Sequence, residues 1–213
     1  MHLEVDTDGP SATGDAETDG RRLRRAVNRE AVVDALLDLY REGNLRPATD
    51  EIAERAGISP RSLFRYFEDT DDLTSEAIAR QLARTMPLVD LDVAPDAPLG
   101  ARVQALVDQR FRIFDAVGQT AFVTRLRAPF QPRLAETLAD SRRYLRGQIR
   151  TLFAAELDAL GEDRAGSVLA ATDVLATFEA FQLLTADQGL TVAQAHAVVR
   201  DSLTALLAPG GTR

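Results

Sequence analysis

Apolar residues recur along this chain at three- and four-residue intervals, and no strand-like alternation of apolar and polar positions appears, so the pattern predicts an all-α fold. The first clear run starts near Asn28: Ala31, Val32, Ala35, Leu36, Leu39 and Tyr40 fall at helical spacing, and Gly43 ends it. A two-turn helix follows, with Thr49 as its N-cap, Ile52, Ala53 and Ala56 on its apolar side and Gly57 as a left-handed stop. Ser59 caps another short helix whose first position is Pro60. Leu63, Phe64 and Phe67 form its buried stripe, which leaves Arg61, Ser62, Arg65 and Tyr66 facing outward. A longer helix begins at Asp71 or Asp72 and carries Leu73, Ala77, Ile78, Leu82 and Met86.

Pro87 to Pro98 is punctuated by proline and reads as a loop. Helical segments are then expected over Leu99 to about Val117, Gln119 to about Arg127, Pro132 to about Leu157 and Arg164 to about Asp187, with turns at Gly161 and Gly189. Thr191 caps a last helix bearing Val192, Ala195, Val198, Val199, Leu203, Leu206 and Leu207. The organisation this predicts is an acidic, disordered tail over 1–20, a three-helix module over 21–70 and a larger helical bundle over 71–213.

Composition narrows the chemistry. Among 213 residues there is no cysteine and no lysine, and histidine occurs only as His2 and His196. Disulfides, thiolate metal sites, thiol nucleophiles, Schiff-base chemistry and a phosphate-loop lysine are therefore excluded. Glu156 and Asp158 lie on different helix faces, so no catalytic residues, metal site or cofactor are expected. With no long apolar run and no basic-then-apolar start, neither a membrane span nor a secretory signal is expected, and a cytoplasmic location follows.

The net charge of -8 runs against nucleic-acid binding until its distribution is considered. Glu4, Asp6, Asp8, Asp15, Glu17 and Asp19 stand in the tail with no basic residue, whereas arginines outnumber acids over 21–67. Arg21, Arg22, Arg24 and Arg25 could follow a phosphate backbone or enter a minor groove as an arm; a solvated helix start would have the same composition.

Two short helices joined at a glycine, with an outward Arg/Ser/Arg/Tyr face, suit a helix-turn-helix reader of the major groove. An ordinary αα-hairpin with a solvated arginine face has the same spacing. The wider register separates the two. Ile52-Ala53, Ala56-Gly57-Ile58-Ser59, Ser62, Phe64, Tyr66-Phe67 and Leu73 resemble, without a break, the DNA-binding helices of the TetR (tetracycline-repressor) family. The resemblance implies that Thr49 meets phosphate and that Pro60, Arg61, Ser62, Phe64, Arg65 and Tyr66 carry the recognition surface. It also implies that the next helix links reader to sensor, and that the partner is a double-stranded operator. Two positions depart from the pattern. Thr70, among Glu68, Asp69, Asp71 and Asp72, replaces a usual lysine, which weakens or replaces a phosphate clamp, and Phe64 replaces a tyrosine and loses a hydroxyl contact.

The last two helices are rich in alanine, which permits close approach, and Thr177 to Leu184 followed by Gly189 to Thr191 is similar to the family's dimer-forming segment. A homodimer through these helices is implied, with His196 an interface residue. Phe111, Phe114, Phe122, Tyr144, Phe153, Phe178 and Phe181 could line an effector cavity with Gln109, Gln148 and Gln182 as polar handles, or simply form packed core. Arg125 and Arg127 are candidates for an anionic ligand. The expected function is a ligand-responsive homodimeric repressor released from a palindromic operator by a small molecule. The alternative is a ligand-independent DNA-binding or architectural protein with a filled core.

Overall fold

The computed structural model describes the backbone of residues 13–208 and the side chains of residues 22–208. Among the described residues the regular elements are all helical: α1 (Thr13–Arg41), α2 (Thr49–Arg55), α3 (Pro60–Leu63), α4 (Thr70–Thr85), α5 (Leu99–Arg127), α6 (Pro132–Leu152), α7 (Ala154–Asp158), α8 (Glu162–Leu175), α9 (Phe178–Gln182) and α10 (Val192–Leu207). They fall into two compact units, residues 1–77 and 78–213, whose boundary lies inside α4 rather than at its start. The first half of α4 belongs to the first unit because Leu73 and Ala77 are buried there and Thr74 shares a 3.4 Å hydrogen bond with the Tyr40 hydroxyl.

The first unit is built on α1. Val32, Val33, Leu36, Leu37 and Tyr40 of α1 are buried, as are Ile52 and Ala53 of α2, Leu63 of α3, Phe67 and Leu73, each large aliphatic or phenylalanine side chain among them contributing about 1.5–3 kcal/mol on leaving water. α1 begins at Thr13, inside the stretch expected to lack a fold. Once a helix is nucleated, each added residue gains one hydrogen bond, and no proline interrupts the chain between Pro10 and Pro47. The tail expectation for residues 1–12 lies outside the described residues.

Helix ends follow local chemistry. Gly57, at φ 69°, closes α2 as the Ile58 N–H donates to the Ala53 carbonyl at 3.0 Å and the Gly57 N–H to that of Glu54 at 3.1 Å. The start of α2 differs from expectation: Ala48 is the N-cap and Thr49 the first helical residue, while the Glu51 carboxylate reaches back to the Ala48 N–H at 2.6 Å. Ser59 caps α3 through a 3.3 Å bond from the Ser62 N–H. At α4, Asp69 Oδ1 accepts the N–H groups of Asp71 (2.8 Å) and Asp72 (2.7 Å), and Asp72 Oδ2 accepts that of Glu68 (3.1 Å). The acids around Thr70 thus serve the positive end of a helix.

The second unit is a bundle of α5, α6, α8 and α10 around Val103, Leu106, Val107, Ile149, Phe153, Ala195, Val199 and Leu203. Gly118, at φ 44° and ψ -133°, kinks α5 where two helices are expected from the sequence. Two further breaks were not legible as such. The run from Pro132 divides at Phe153, and the run from Arg164 divides at Ala176, after which Thr177 caps α9 and a π turn covers Leu183–Asp187. Apolar spacing continues through both breaks, so periodicity alone reports one helix.

Two arginines are buried in this unit. Arg102 forms a two-pronged pair with Glu156 and also donates to the carbonyls of Leu152 (2.6 Å) and Ala97 (2.8 Å), holding the interrupted end of α6 to α5. The Arg102 hydrogen bond holds the Glu156 carboxyl below its usual range. Arg110, 1% exposed, donates to Gln109, to Gln148 Oε1 (3.0 Å) and to the Leu145 carbonyl (2.9 Å), and desolvation lowers its pKa to about 10.

Glu156→Ala leaves the Arg102 charge without its carboxylate and should destabilise the protein by about 3 kcal/mol, read as a fall in the urea unfolding midpoint. A loss under half that size would mean that the pair is solvated.

Candidate functional site

The outward face of α3 carries Pro60, Arg61, Phe64 and Arg65, all exposed, beside half-buried Ser62 and Tyr66. Only Leu63 and Phe67 turn inward, 0% and 2% exposed. Phe64 is 53% exposed and does not join the buried stripe, because on a helix its side chain is rotated about 100° from that of Leu63. The buried position given to Phe64 by spacing is therefore corrected: Phe64 stands on the exposed side with Arg61 and Arg65. Thr49 is half-buried at the start of α2, and Thr70 is exposed at the start of α4.

α3 is a single turn, extended by three-residue turns from Arg65 to Ser62 (3.1 Å) and from Tyr66 to Leu63 (2.9 Å). Its C-terminal carbonyls are held by α1: Arg25 Nη2 donates to the Arg65 carbonyl at 3.2 Å and Arg29 Nε to that of Tyr66 at 3.4 Å. Asn28 Nδ2 donates to the Tyr66 hydroxyl at 3.0 Å, and Arg29 stacks over Phe67 at 4.9 Å while pairing with Glu76. These α1 contacts gave no recognisable sequence signal, because they join residues about forty positions apart. Arg22, Arg24 and Arg25 are exposed on α1, a regular helix rather than an extended arm; the Arg21 side chain lies outside the described residues. Arg24, Arg25, Asn28, Arg65 and Tyr66 surround a shallow cleft.

The second unit holds a cavity of about 310 Å³. Ile78, Leu82 and Met86 of α4, Ile113, Phe114 and Val117 of α5, Leu138, Tyr144 and Leu145 of α6 and Phe178 of α9 supply its apolar wall. Of the residues suggested by sequence, Phe114, Tyr144 and Phe178 line it. Phe111 instead packs on Phe181 and His196, Phe122 packs on Phe178 outside the cavity, and Gln148 is taken by Arg110 and the Val89 carbonyl (2.7 Å). Gln182, half-buried, is not among the lining residues. The α4 contribution was missed because nothing in a helical repeat says which helix a void will border. His196 Nε2 meets Asp108 Oδ1 at 2.7 Å, a contact between α5 and α10 within one chain.

At one wall Arg125 grips Glu179 through Nε (2.9 Å) and Nη2 (3.2 Å), Arg142 binds the same carboxylate, and Arg125 stacks over Phe178 at 4.6 Å. Burial pushes the Glu179 carboxyl upward, but the hydrogen bonds from Arg125 and the charges of Arg125 and Arg142 outweigh it and hold its pKa at about 2.

Residues 32–81 match the family of bacterial regulatory proteins named tetR. The chain is 30% identical over 154 residues to the HTH-type transcriptional regulator BetI of Escherichia coli O17:K52:H18, covering 69% of this chain and 78% of that one. It is 36% identical over 89 residues to the HTH-type transcriptional regulator BetI of Klebsiella pneumoniae, covering 40% of this chain and 45%, less than half, of that relative. The crystal structure of a tetR-family transcriptional regulator from Streptomyces coelicolor matches with a TM-score of 0.63 at 25% identity, covering 84% of this chain and 79% of that one. The protein belongs to the tetR family of transcriptional regulators. Its first unit carries the DNA-binding domain and its second is the helical C-terminal domain. Among the described residues no single helix is long and apolar enough to cross a membrane, and no group of acids and histidines could hold a metal ion.

Arg61→Ala and Arg65→Ala should each weaken operator binding by about 1–3 kcal/mol if they read base edges; gel shifts on matched and scrambled sites should show a larger loss on the matched site. Glu179 has a folded pKa below that of the unfolded chain, so its contribution is present above about pH 4.5 and is lost as pH falls toward about 2. The melting-temperature advantage of the wild type over Glu179→Gln should therefore shrink between about pH 5 and pH 2.

Proposed function

We propose that the protein is a homodimeric repressor that leaves a palindromic operator in the cytoplasm when a small apolar molecule fills the cavity of its second unit. The observation that carries this reading is the course of α4. Its first half buries Leu73 and Ala77 in the reading unit, and its second half presents Ile78, Leu82 and Thr85 to the cavity. A molecule in the cavity touches the helix whose first turn follows α3. Release requires different effector affinity for the bound and free states: a tenfold drop in operator affinity corresponds to about 1.4 kcal/mol of coupling, and operator must weaken effector equally.

A dimer fits the exposed apolar residues of the last helices, Val174 on α8 and Val192 and Val198 on α10, which are 63%, 58% and 40% exposed. Two recognition helices set about 34–36 Å apart would meet successive major grooves. With Asp69 and Asp72 committed to capping α4, phosphate contacts pass to Arg24, Arg25 and Arg65 around the cleft beside Tyr66. The exposed Phe64 ring suits a thymine methyl group, and Arg61 and Arg65 suit guanine edges.

Selection of bound fragments from random DNA should return a palindrome, and replacing thymine by deoxyuracil at one position per half-site should weaken the wild type but not Phe64→Ala. Arg24→Gln should lower affinity on every sequence and reduce the salt slope by about 1. Recovery of only unrelated, non-palindromic fragments would end the operator reading.

A further inference from the structure

Resting on the reading of the cavity as an effector site, we infer that the effector is an amphiphilic carboxylic acid, its apolar body inside the cavity and its carboxylate on Arg142 and Arg125. The walls leave little else for a polar group to use. Thr85 donates its hydroxyl to the Gln81 carbonyl (2.8 Å), Thr124 to that of Thr120 (2.8 Å), Thr137 to that of Arg133 (2.8 Å) and Ser141 to that of Thr137 (2.9 Å). The Gln81 amide is spent on the Ala116 carbonyl at 2.6 Å. The hydroxyls of Thr85, Thr124, Thr137 and Ser141 thus turn back onto helical backbone and do not offer their protons to a guest, which leaves the Thr120 and Tyr144 hydroxyls as the neutral polar groups of the lining.

The charged residues of the lining are Arg125, Arg142 and Asp140. Asp140 is answered by Arg143 at 3.0 Å on the same helix. Arg125 and Arg142 converge on one acid, Glu179, and Arg142 gives it a single N–H while its side chain stays 55% exposed. Nearby, Asp173 is answered by Arg146 at 3.5 Å. Two guanidinium groups facing one carboxylate leave an excess of positive charge at the wall, and Glu179 already demonstrates that a carboxylate fits between them. A guest carboxylate completes the set by a charge-assisted, planar contact with Arg142. A guest ammonium would meet two like charges, and a neutral alcohol would gain no comparable contact. In taking Arg142, the guest loosens the tie between α6 and α9, the short helix that leads into the π turn before α10. The cavity volume lies at the small end for ligand sites, which suits a short-chain or single-ring acid.

The test is calorimetric titration of the full-length protein with 4-phenylbutyrate, 4-phenylbutan-1-ol and 4-phenylbutylamine, repeated with octanoate and octan-1-ol. In at least one series the acid should bind about tenfold more tightly than its alcohol, with the amine weakest, and its advantage should shrink as sodium chloride is raised. Arg142→Gln should erase the advantage of the acid over its own alcohol. That ratio would survive general damage to the fold, which weakens both compounds together. If the alcohols bind as tightly as the acids, the carboxylate assignment is wrong while the cavity remains an effector site. If no compound in either series binds, the effector-site reading falls as well.

Discussion

A helix of one turn does not persist in water, because nucleation fixes several backbone angles for very few hydrogen bonds. In the DNA-binding unit α3 is such a helix, and the rest of the unit is arranged to hold it. From below, Leu63 and Phe67 are enclosed against α1 and α2. From the end, Arg25 and Arg29 of α1 bind the carbonyls of Arg65 and Tyr66, while Asn28 binds the Tyr66 hydroxyl. From the front, Ser59 and Pro60 set the first turn. Arg61, Phe64 and Arg65 stay exposed because the contacts that keep α3 helical lie on its other sides.

The acidic run after α3 gains a physical reason from this arrangement. Against the family pattern, Asp69 and Asp72 look like a loss of DNA affinity, since they flank Thr70, which stands where a lysine is usual. In the structure they accept backbone N–H groups at the start of α4. Anchoring of α4 and a cation at its start compete for the same few positions, and here anchoring has them.

In the second unit, polar groups are handled by enclosure. Arg102, Gln109 and Gln148 bind the Leu152 and Val89 carbonyls, where α6 ends and the 87–98 loop leaves backbone without helical partners, while Arg110 joins Gln109 and Gln148 and takes the Leu145 carbonyl inside α6. Such groups are costly to bury singly and acceptable only as a connected set. The cavity wall, by contrast, is mostly apolar, with Arg125, Arg142 and Asp140 as its charged residues.

Periodicity, capping residues and glycine stops determined on their own the all-α class, the pair of short helices joined at Gly57, the interruption near Gly118 and the capped last helix, because each is a local matter settled within a few residues. That the short pair is a helix-turn-helix came from the family register. The outward set on α3 was legible for Arg61, Ser62 and Arg65, whereas Phe64 needed either the family register or the fold, since hydrophobicity alone places a phenylalanine inside. Tertiary structure alone decided that α4 borders the cavity, that Phe111, Phe122, Gln148 and Gln182 do not, that α1 reaches back to Thr13 and clasps the recognition turn, and that long apolar runs break at Phe153 and Ala176. The physical reason is shared by all four: a void, a clasp between residues forty positions apart and a break in a helix whose apolar face continues are properties of how separate segments meet, and no single segment encodes its neighbour.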